Sequence, residues 1–369
     1  MATPLVLNKP VIAIVGSAGK TTTKEMIASI IQQRWKILKT SGNANAPRHT
    51  AMMVKKVSPL HKALVLEYGM SRHGEIKLSC RIIQPNIGVI TNIGTAHIGH
   101  FNGDIKGIAN TKSDLIRLMK PKGILYLNAD DNNSKLLDTK NFKGKIVTVS
   151  QKNPSDFKAE NVKYVKGGMN FETNLNGTSY KFFIPVYGKH NIYNALFAVA
   201  VTYNLGFKPA EIQKGLRFYR KPWRRLSVYR LKNNIRIIDD SFSANPNAAK
   251  AAIDVLHQVG KGKKIAVLGT MLEMGRYKVK GHKDVGRYLA KKGVDKLFTY
   301  GNDAVYIGQG AIESGFPKEK VKNYFNQTKI VKDLLKHLEP NTTILFKASH
   351  GMYLNQVIKA LINSYKDKF

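Results

Sequence analysis

The chain has 369 residues, of which 43% are hydrophobic, so it is long and apolar enough for two domains with real cores, and wholesale disorder is excluded. It contains no apolar run of about 18 residues, which excludes a membrane span, and no recognisable signal peptide. Its one cysteine, Cys80, excludes an internal disulfide framework and a cysteine-rich zinc site. Together these features predict a cytoplasmic protein. Sixty basic against 24 acidic residues give a formal charge of +36, spread along the chain, which predicts a lysine-rich solvated surface or attraction of anionic substrates, with nucleic-acid binding as the alternative.

The first predicted element is a strand followed by a glycine loop and a helix, in the stretch VIAIVGSAGKTTTKEM at residues 11–26. The loop is shorter than the usual phosphate-binding pattern G-x-x-x-x-G-K-[ST], because Ile14 stands where the first glycine is expected. Glycines would turn backbone N–H groups inward, and the helix N-terminus and a lysine would add positive charge. We therefore predict a nucleotide-phosphate loop formed by Gly16, Ser17, Ala18, Gly19, Lys20, Thr21 and Thr22.

Up to about residue 130, short apolar runs alternate with amphipathic segments, which predicts a parallel sheet with crossover helices. The predicted strands are VIAIV, KALVLEYG, IGVITNIG and GILYLNAD, and the helices are KEMIASIIQQRW and IANTKSDLIRLM. Residues 145–188 are typical of strands joined by glycine and asparagine turns, which we interpret as a β insertion or an edge on the first domain. Two further helices are predicted from His190 and Lys208.

A charged segment at residues 220–225 is the predicted linker, and a second α/β series follows it. Its predicted strands are IRIIDDSF, KKIAVLGT, DKLFTYG and TTILFKAS, and its helices lie near NAAKAAIDVLHQV, DVGRYLAKK, DAVYIGQGAIES and IVKDLLKHL. The fold class is therefore α/β, with a parallel-sheet P-loop ATPase domain carrying a β insertion at residues 1–220. A smaller doubly wound, Rossmann-like domain is predicted at residues 221–369.

Three side chains fit the phosphate loop if the protein handles ATP and a metal. Glu67 ends a predicted strand, so its carboxylate faces the ligand crevice of an open α/β sheet and could hold Mg²⁺. His97 follows another strand of the same sheet and is a candidate second ligand. Lys112 lies on an amphipathic helix, where a lysine is by default solvated.

Taken in order, these patches resemble the Mur ligase family of ATP-dependent amide-forming enzymes, and within it the D-alanyl-D-alanine-adding ligases. The likeness runs from about residue 10 to the C-terminus. Besides the loop it rests on SGNANAP, VLEYGM, TNIGTAH, TKSDLI before LNADDNN, YGKHNIYNAL, the pair Arg224-Arg225, IIDDSFSANP, VLGTMLEMG and FKASHGM. The peptidoglycan members of the family carry an N-terminal UDP-sugar-binding domain, which we expect this chain to lack because its loop begins at residue 16.

The resemblance implies a role for each residue of a phosphate and metal site. Lys20 would hold the β- and γ-phosphates of ATP, and Thr21 the first of two Mg²⁺ ions. Glu67 would bridge the metals, and His97 would be a ligand of the second. Lys112 would be carbamylated by CO₂, which converts a cation into a carboxylate-like metal ligand.

The resemblance also implies contacts with the rest of the nucleotide. Asn43 would lie near the phosphates, and Arg225 would reach the γ-phosphate when the domains close. Asp240 would lie near the ribose and the linker. The motif HN-x-x-N would contact the nucleotide through His190, Asn191 and Asn194.

The implied reaction phosphorylates a carboxylate to an acyl phosphate, which the amine of an amino acid or dipeptide then attacks, with release of ADP and phosphate. We expect a monomeric ligase acting on an anionic carboxylate substrate. Two alternatives remain open: a peptidoglycan-precursor ligase that adds D-alanyl-D-alanine, and a basic nucleic-acid-binding or scaffolding protein with a vestigial ligase fold. The sequence differs from the D-alanyl-D-alanine ligase pattern at four positions, which leaves the identity of the amine open: Thr270, Ala348, His350 and Asn355.

Overall fold

The computed structural model describes residues 3–366 and divides them into two units, each built on its own main sheet. The first unit comprises residues 3–94 and 104–222, and the second comprises residues 95–103 and 223–366. The predicted α/β class is confirmed in both units.

The described residues of the first unit form ten strands and six α-helices. The strands are β1 (Val11–Val15), β2 (Ile37–Lys39), β3 (Ala63–Glu67), β4 (Ile87–Ile90), β5 (Ile124–Asn128), β6 (Lys145–Ser150), β7 (Phe157–Lys158), β8 (Glu160–Val165), β9 (Gly168–Leu175) and β10 (Thr178–Ile184). The helices are α1 (Lys20–Ile31), α2 (Pro47–Val54), α3 (Glu75–Ile82), α4 (Ile105–Leu118), α5 (Lys189–Asn204) and α6 (Pro209–Arg217).

The main sheet of the first unit is parallel throughout and has the strand order β2-β3-β1-β4-β5-β6-β7. Every residue of β1, β3 and β4 is buried, as expected for continuous apolar runs in a sheet covered on both faces. Ile14 pairs with Glu67 across the neighbouring strands β1 and β3. The loop after β1 and the carboxylate that ends β3 therefore lie at the same edge of the sheet.

The strands of the β-rich segment at residues 145–188 belong to two different sheets. Strands β6 and β7 extend the parallel sheet, whereas β8, β9 and β10 form a separate antiparallel sheet in the order β10-β9-β8. The segment is thus both an edge and an insertion, the two interpretations that the sequence allowed.

Up to residue 366, the second unit contains six strands and five α-helices. The strands are β11 (Ser227–Arg230), β12 (Arg236–Asp239), β13 (Lys264–Gly269), β14 (Lys296–Tyr300), β15 (Val321–Tyr324) and β16 (Thr343–Lys347). The helices are α7 (Pro246–Val259), α8 (Lys278–Leu289), α9 (Val305–Ile312), α10 (Gln327–Leu335) and α11 (Leu354–Lys366). The strand order is β11-β12-β16-β13-β14-β15, with β11 antiparallel to β12 and the other pairs parallel.

The carboxyl ends of β12, β16 and β13 lie next to one another in this second sheet, so Asp239, Lys347 and Gly269 end neighbouring strands. Ligands of open α/β sheets bind at such edges. No helix within residues 3–366 has the length and apolar character needed to span a membrane.

Candidate active site

The predicted phosphate loop connects β1 directly to α1, whose first residue is Lys20. Gly19 precedes the helix in the left-handed conformation, with φ of 84°, where a side chain would be strained. The Lys20 Nζ atom donates a hydrogen bond of 2.9 Å to the carbonyl oxygen of Gly16, so the side chain folds back over the loop. The loop therefore combines a helix N-terminus and a lysine ammonium, the pair of features that favours an anion.

Two residues at the end of β4 hold this loop in place. The Ala18 N–H donates to the Asn92 side-chain oxygen at 3.0 Å, and the Ser17 N–H donates to the Asn92 carbonyl at 3.1 Å. The Thr91 hydroxyl donates to the Ala18 carbonyl at 2.6 Å. Sequence reasoning did not single out Thr91 or Asn92, although both open the quoted stretch TNIGTAH.

The predicted HN-x-x-N motif opens α5 beside the phosphate loop. The Thr23 hydroxyl donates to the Asn194 side-chain oxygen at 3.1 Å, which joins α5 to α1. Asn194 in turn donates to the side chain of Asn191 at 2.9 Å, and Asn191 lies 3.1 Å from the Nε2 atom of His190. The fold thus brings the motif to the loop, although Asn194 lies 171 positions from Thr23 in the sequence.

Glu67 is buried, with 1% of its surface exposed, and its two carboxylate oxygens differ. Oε1 accepts a hydrogen bond of 2.8 Å from the Asn45 amide, whereas Oε2 is buried without a partner among the described residues. A buried carboxylate oxygen without a donor is costly, and a cation would satisfy it. Glu67 therefore fits the predicted role of a metal ligand.

The rest of a magnesium site would have to include groups other than acidic side chains. Among residues 3–366, no three His, Cys, Asp or Glu side chains converge in a group that could hold a metal ion. Mg²⁺ in nucleotide sites is usually held by one or two carboxylates together with substrate phosphates. Such a site suits Glu67, and Thr21, which is 6% exposed in the first turn of α1.

Lys112 is not the solvated lysine that its sequence context suggests by default. Its side chain is 1% exposed, and among the described residues its Nζ atom donates only to the Met70 sulfur, at 3.7 Å. Burial, and then the positive charge of Lys20, hold the pKa of the Lys112 amine well below its usual range, opposed by Asp131. A neutral amine is the nucleophilic form that CO₂ requires, so this environment suits carbamylation.

Asn43 and His97 are the other residues predicted at the phosphate and metal site. Asn43 is exposed in the loop between β2 and α2. His97 belongs to the second unit, where its Nδ1 atom lies 2.5 Å from the carboxylate of Glu273. The hydrogen bond from His97, together with the nearby His100, lowers the pKa of Glu273. Their roles toward phosphate and metal stay predictions.

The linker arginines have different environments. Arg224 is 1% exposed, and its guanidinium donates to the Ser241 hydroxyl at 3.0 Å and to the Ser241 carbonyl at 2.7 Å. Arg225 is half-buried, with its guanidinium 4.7 Å from the centre of the Phe242 ring. Arg225, the predicted γ-phosphate contact, is therefore the more accessible of the two.

Asp240, the predicted ribose-side residue, forms a buried ion pair. Its Oδ2 accepts from Lys347 at 2.6 Å, and its Oδ1 accepts from the Leu226 N–H at 3.2 Å. Desolvation lowers the pKa of Lys347, and Asp240 opposes that shift. The sequence did not single out Lys347, although it is the second residue of the stretch FKASHGM.

The four positions that differ from the ligase pattern cluster at strand and helix ends of the second unit. Thr270 directly follows β13, Ala348 and His350 follow β16, and Asn355 lies in the first turn of α11. The Thr270 Oγ1 and Asn355 Oδ1 atoms are buried without partners among the described residues. Unsatisfied polar atoms at strand ends are features of ligand sites.

Two family models match the chain: the Mur ligase middle domain at residues 14–202, and the Mur ligase, glutamate ligase domain at residues 224–350. The UDP-N-acetylmuramoyl-tripeptide–D-alanyl-D-alanine ligase of Bacillus subtilis is 35% identical over 97% of this chain and 77% of that enzyme. The Escherichia coli ligase of the same name is 30% identical over 95% of this chain and 76% of that enzyme. A crystal structure of MurF from Acinetobacter baumannii superposes with a TM-score of 0.88 and 30% identity, covering 96% of this chain and 76% of that one.

These matches span both units and agree with the phosphate loop and the two α/β sheets described above. Mur ligases are ATP-dependent ligases, so the predicted reaction class is confirmed. The chain belongs to the Mur ligase family.

Proposed function

We propose that the chain joins the carboxylate of a UDP-muramoyl-tripeptide to the amine of D-alanyl-D-alanine, with hydrolysis of ATP to ADP and phosphate. The substrates are those in the names of its relatives, such as the Bacillus subtilis enzyme, which is 35% identical over 97% of this chain. One structural observation carries the ligase chemistry. The phosphate loop and the unpartnered oxygen of buried Glu67 lie at the same edge of one parallel sheet.

The chemistry proceeds in two steps that balance. A carboxylate oxygen of the tripeptide attacks the γ-phosphorus of ATP, the bond to the β-phosphate oxygen breaks, and ADP leaves. The amine nitrogen then attacks the carbonyl carbon of the acyl phosphate, inorganic phosphate leaves, and the nitrogen loses a proton. Charge crowds around the transferring phosphoryl group, so positive groups near it lower the barrier.

The first unit supplies several of these groups. Lys20 would exchange its contact with the Gly16 carbonyl for contacts with the β- and γ-phosphates, and N–H groups of the loop would donate hydrogen bonds to the remaining phosphate oxygens. Thr21, Glu67 and a carbamylated Lys112 would hold Mg²⁺, with His97 as a further proposed ligand. Bound Mg²⁺ would neutralise charge on the phosphoryl oxygens.

The nucleotide contacts of the other predicted residues are part of the same proposal. His190, Asn191 and Asn194 would contact the nucleotide from the start of α5, beside the loop. Asn43 would contact the phosphates. Arg225 and Asp240 would contact the γ-phosphate and the ribose side, respectively.

The test is to follow oxygen and phosphate through a single turnover. With the tripeptide carboxylate labelled with ¹⁸O, one labelled oxygen should appear in the released phosphate, because the acyl phosphate is cleaved at carbon. ADP should form in an amount equal to the phosphate, ADP formation should require the tripeptide, and release of phosphate should require the amine as well. AMP and pyrophosphate as products, or unlabelled phosphate, would refute the proposed chemistry.

A second candidate differs only in the amine. Thr270 and Asn355 have unsatisfied buried atoms, and both stand at positions where the sequence differs from the D-alanyl-D-alanine ligase pattern. An amine other than D-alanyl-D-alanine is therefore the alternative substrate. Comparing kcat/KM for a panel of amino acids and dipeptides distinguishes the two, since the true amine should exceed the others by at least about tenfold.

A further inference from the structure

The loop between β2 and α2 wraps the carboxylate that ends β3. Asn45 donates its side-chain amide to Glu67 Oε1 at 2.8 Å, and the Glu67 N–H donates to the Thr40 hydroxyl at 3.0 Å. One carboxylate oxygen is thus fixed by a donor, while Oε2 remains buried without a partner among the described residues. A buried carboxylate oxygen without a hydrogen-bond donor is energetically costly, so we expect a ligand to bind the second oxygen.

We propose that Asn45 is a positioning residue, which holds the Glu67 carboxylate so that Oε2 is available to a divalent cation. The inference rests on the proposed function, because it assumes that Glu67 is a metal ligand. Outer partners of metal-binding side chains fix the orientation of the ligand and tune its affinity. Asn45 would play that part without itself touching the metal.

The position of the Asn45 side chain is itself determined by its surroundings. The Gly69 N–H donates to the Asn45 carbonyl at 2.8 Å, which ties the loop to the residues after β3. A Cβ built on Gly69 would lie 2.4 Å from the Asn45 Oδ1 atom, so the amide fills the space that a side chain would need. Only a glycine at residue 69 lets the amide reach Glu67 in this way.

A buried lysine anchors the start of the same loop. Lys24 on α1 is 0% exposed, and its Nζ atom donates to the carbonyls of Thr40 and Gly42 at 2.8 and 2.6 Å. Helix α1, which carries the phosphate loop at its N-terminus, therefore also carries the cation that fixes the loop around Glu67. The carboxylate and the phosphate loop are positioned by a shared framework.

A purely structural role for Asn45 makes a different prediction. A structural hydrogen bond contributes to stability alone, so its loss would lower the melting temperature and leave the metal affinity unchanged. A positioning role predicts weaker metal binding in a variant that remains folded. Direct measurement of metal binding separates the two.

The experiment measures Mn²⁺ binding by electron paramagnetic resonance, with and without a non-hydrolysable ATP analogue. We expect Asn45→Ala to weaken Mn²⁺ binding by about 10-fold to 100-fold. Gly69→Ala keeps the asparagine and has no left-handed backbone to strain, but displaces the amide, and should weaken binding in the same direction. Asn204→Ala is the control, because it removes an exposed asparagine whose side-chain amide donates to the Tyr126 hydroxyl at 2.9 Å elsewhere in the same unit.

Unchanged Mn²⁺ affinity in folded Asn45→Ala and Gly69→Ala proteins would overturn the inference, even if the wild type ligates its substrates normally. Loss of affinity in Asn204→Ala to the same extent would also overturn it, since the effect would then be one of general stability. Absence of Mn²⁺ binding by the wild type, with or without nucleotide, would refute the metal role of Glu67 and the inference together. Failure of the proposed function alone would appear as normal metal binding without ligation.

Discussion

The side-chain oxygen of Asn194 lies so close to Gly19 that a Cβ built on the glycine would come within 2.4 Å of it. The same oxygen accepts the Thr23 hydroxyl, so the start of α5 is packed against the phosphate loop and the first turn of α1. A glycine is therefore required at residue 19 for two reasons: the backbone has a positive φ, and the Asn194 side chain leaves no room for a Cβ.

Replacing Gly19 with alanine should disrupt nucleotide binding more than it disrupts the fold. The added methyl group would displace Asn194 and the loop, and we expect ATP affinity to fall at least about tenfold, the loss of one good phosphate contact. Gly177→Ala is the matched control, because Gly177 has a φ of 86° and nothing within 4 Å of a built Cβ. Calorimetric titration with ATP should show near-normal affinity for the control, and equal losses in both variants would contradict the packing explanation.

The adjacent arginines Arg224 and Arg225 should give opposite phenotypes. Arg224→Ala removes a buried guanidinium beside Asp239, and we expect the second unit to lose about 3 kcal/mol of stability in urea unfolding. Arg225→Ala removes a half-buried side chain over Phe242, so stability should change by less than about 1 kcal/mol while kcat falls. A stable Arg224→Ala protein, or a fully active Arg225→Ala protein, would show that the assignments are wrong.

Burial of Lys112 should make stability depend on pH. Its native pKa is lowered, whereas in the unfolded chain it takes the ordinary value of about 10.4. Between these values the unfolded state holds one more proton than the native state, so the free energy of unfolding rises with pH, by up to about 1.4 kcal/mol per pH unit. This contribution is complete above the unfolded pKa and is lost as pH falls to the native pKa.

The measurement is urea unfolding from pH 7 to pH 9.5 in CO₂-free buffer, which excludes carbamylation. Lys112→Met should be the more stable protein at pH 7 and should lack the rise seen in the wild type. The exposed Lys122→Met variant should follow the wild-type curve. Parallel curves for wild type and Lys112→Met would mean that the buried amine is charged in the native state.

Carbamylation of Lys112 can be tested by chemical rescue. Lys112→Ala should lose ligase activity, and short carboxylates such as formate or acetate should partly restore it by supplying the missing oxygens. The same carboxylates should not rescue Lys20→Ala, where the lost group is a cation. With ¹³C-bicarbonate, the wild type should show a carbamate resonance that Lys112→Ala lacks, and its absence from the wild type would refute the modification.

Much of the first sheet could be predicted because its strands are continuous apolar runs bounded by turn residues. Strands β1, β3, β4 and β5 all lie within their predicted segments. The phosphate loop was predictable because phosphate binding depends on backbone geometry. Glycines followed by the start of a helix indicate that geometry within a few residues of sequence. Helix α1 nevertheless begins at Lys20, earlier than the predicted KEMIASIIQQRW, because Gly19 already ends the loop.

Elements with weak local patterns were missed. Strands β2 and β15 are short and only partly buried, and the apolar residues of α3 stand at every second position, a spacing typical of a strand rather than a helix. Strand β11 was not predicted; it lies between the predicted linker at residues 220–225 and the first predicted strand of the second series, and it pairs antiparallel with β12 at the sheet edge. Such elements depend on neighbours that are distant in sequence, which no local pattern reveals.

Among the site residues too, some could be predicted from local sequence and others could not. Glu67 was predictable from its place at a strand end, but its partner Asn45 lies 22 residues away in an irregular loop. The burial of Lys112 and Arg224 could not be inferred either, because each has a charged side chain in a segment rich in lysine or arginine. Their environments are set by packing against Met70 and Ser241, which are remote in sequence.

The nine residues 95–103 belong to the second unit although first-unit sequence flanks them on both sides. A fragment that starts at Trp223 would therefore omit a piece of its own unit. Within that unit the Gly99 N–H donates to the Glu273 carbonyl at 2.9 Å, and a Cβ on Gly99 would lie 2.5 Å from the Gly275 nitrogen. Expressing the second unit from the linker onward would remove this close backbone contact. It would also remove His97, the partner of the Glu273 carboxylate. Studies of the isolated second unit therefore need residues 95–103 to be supplied as well.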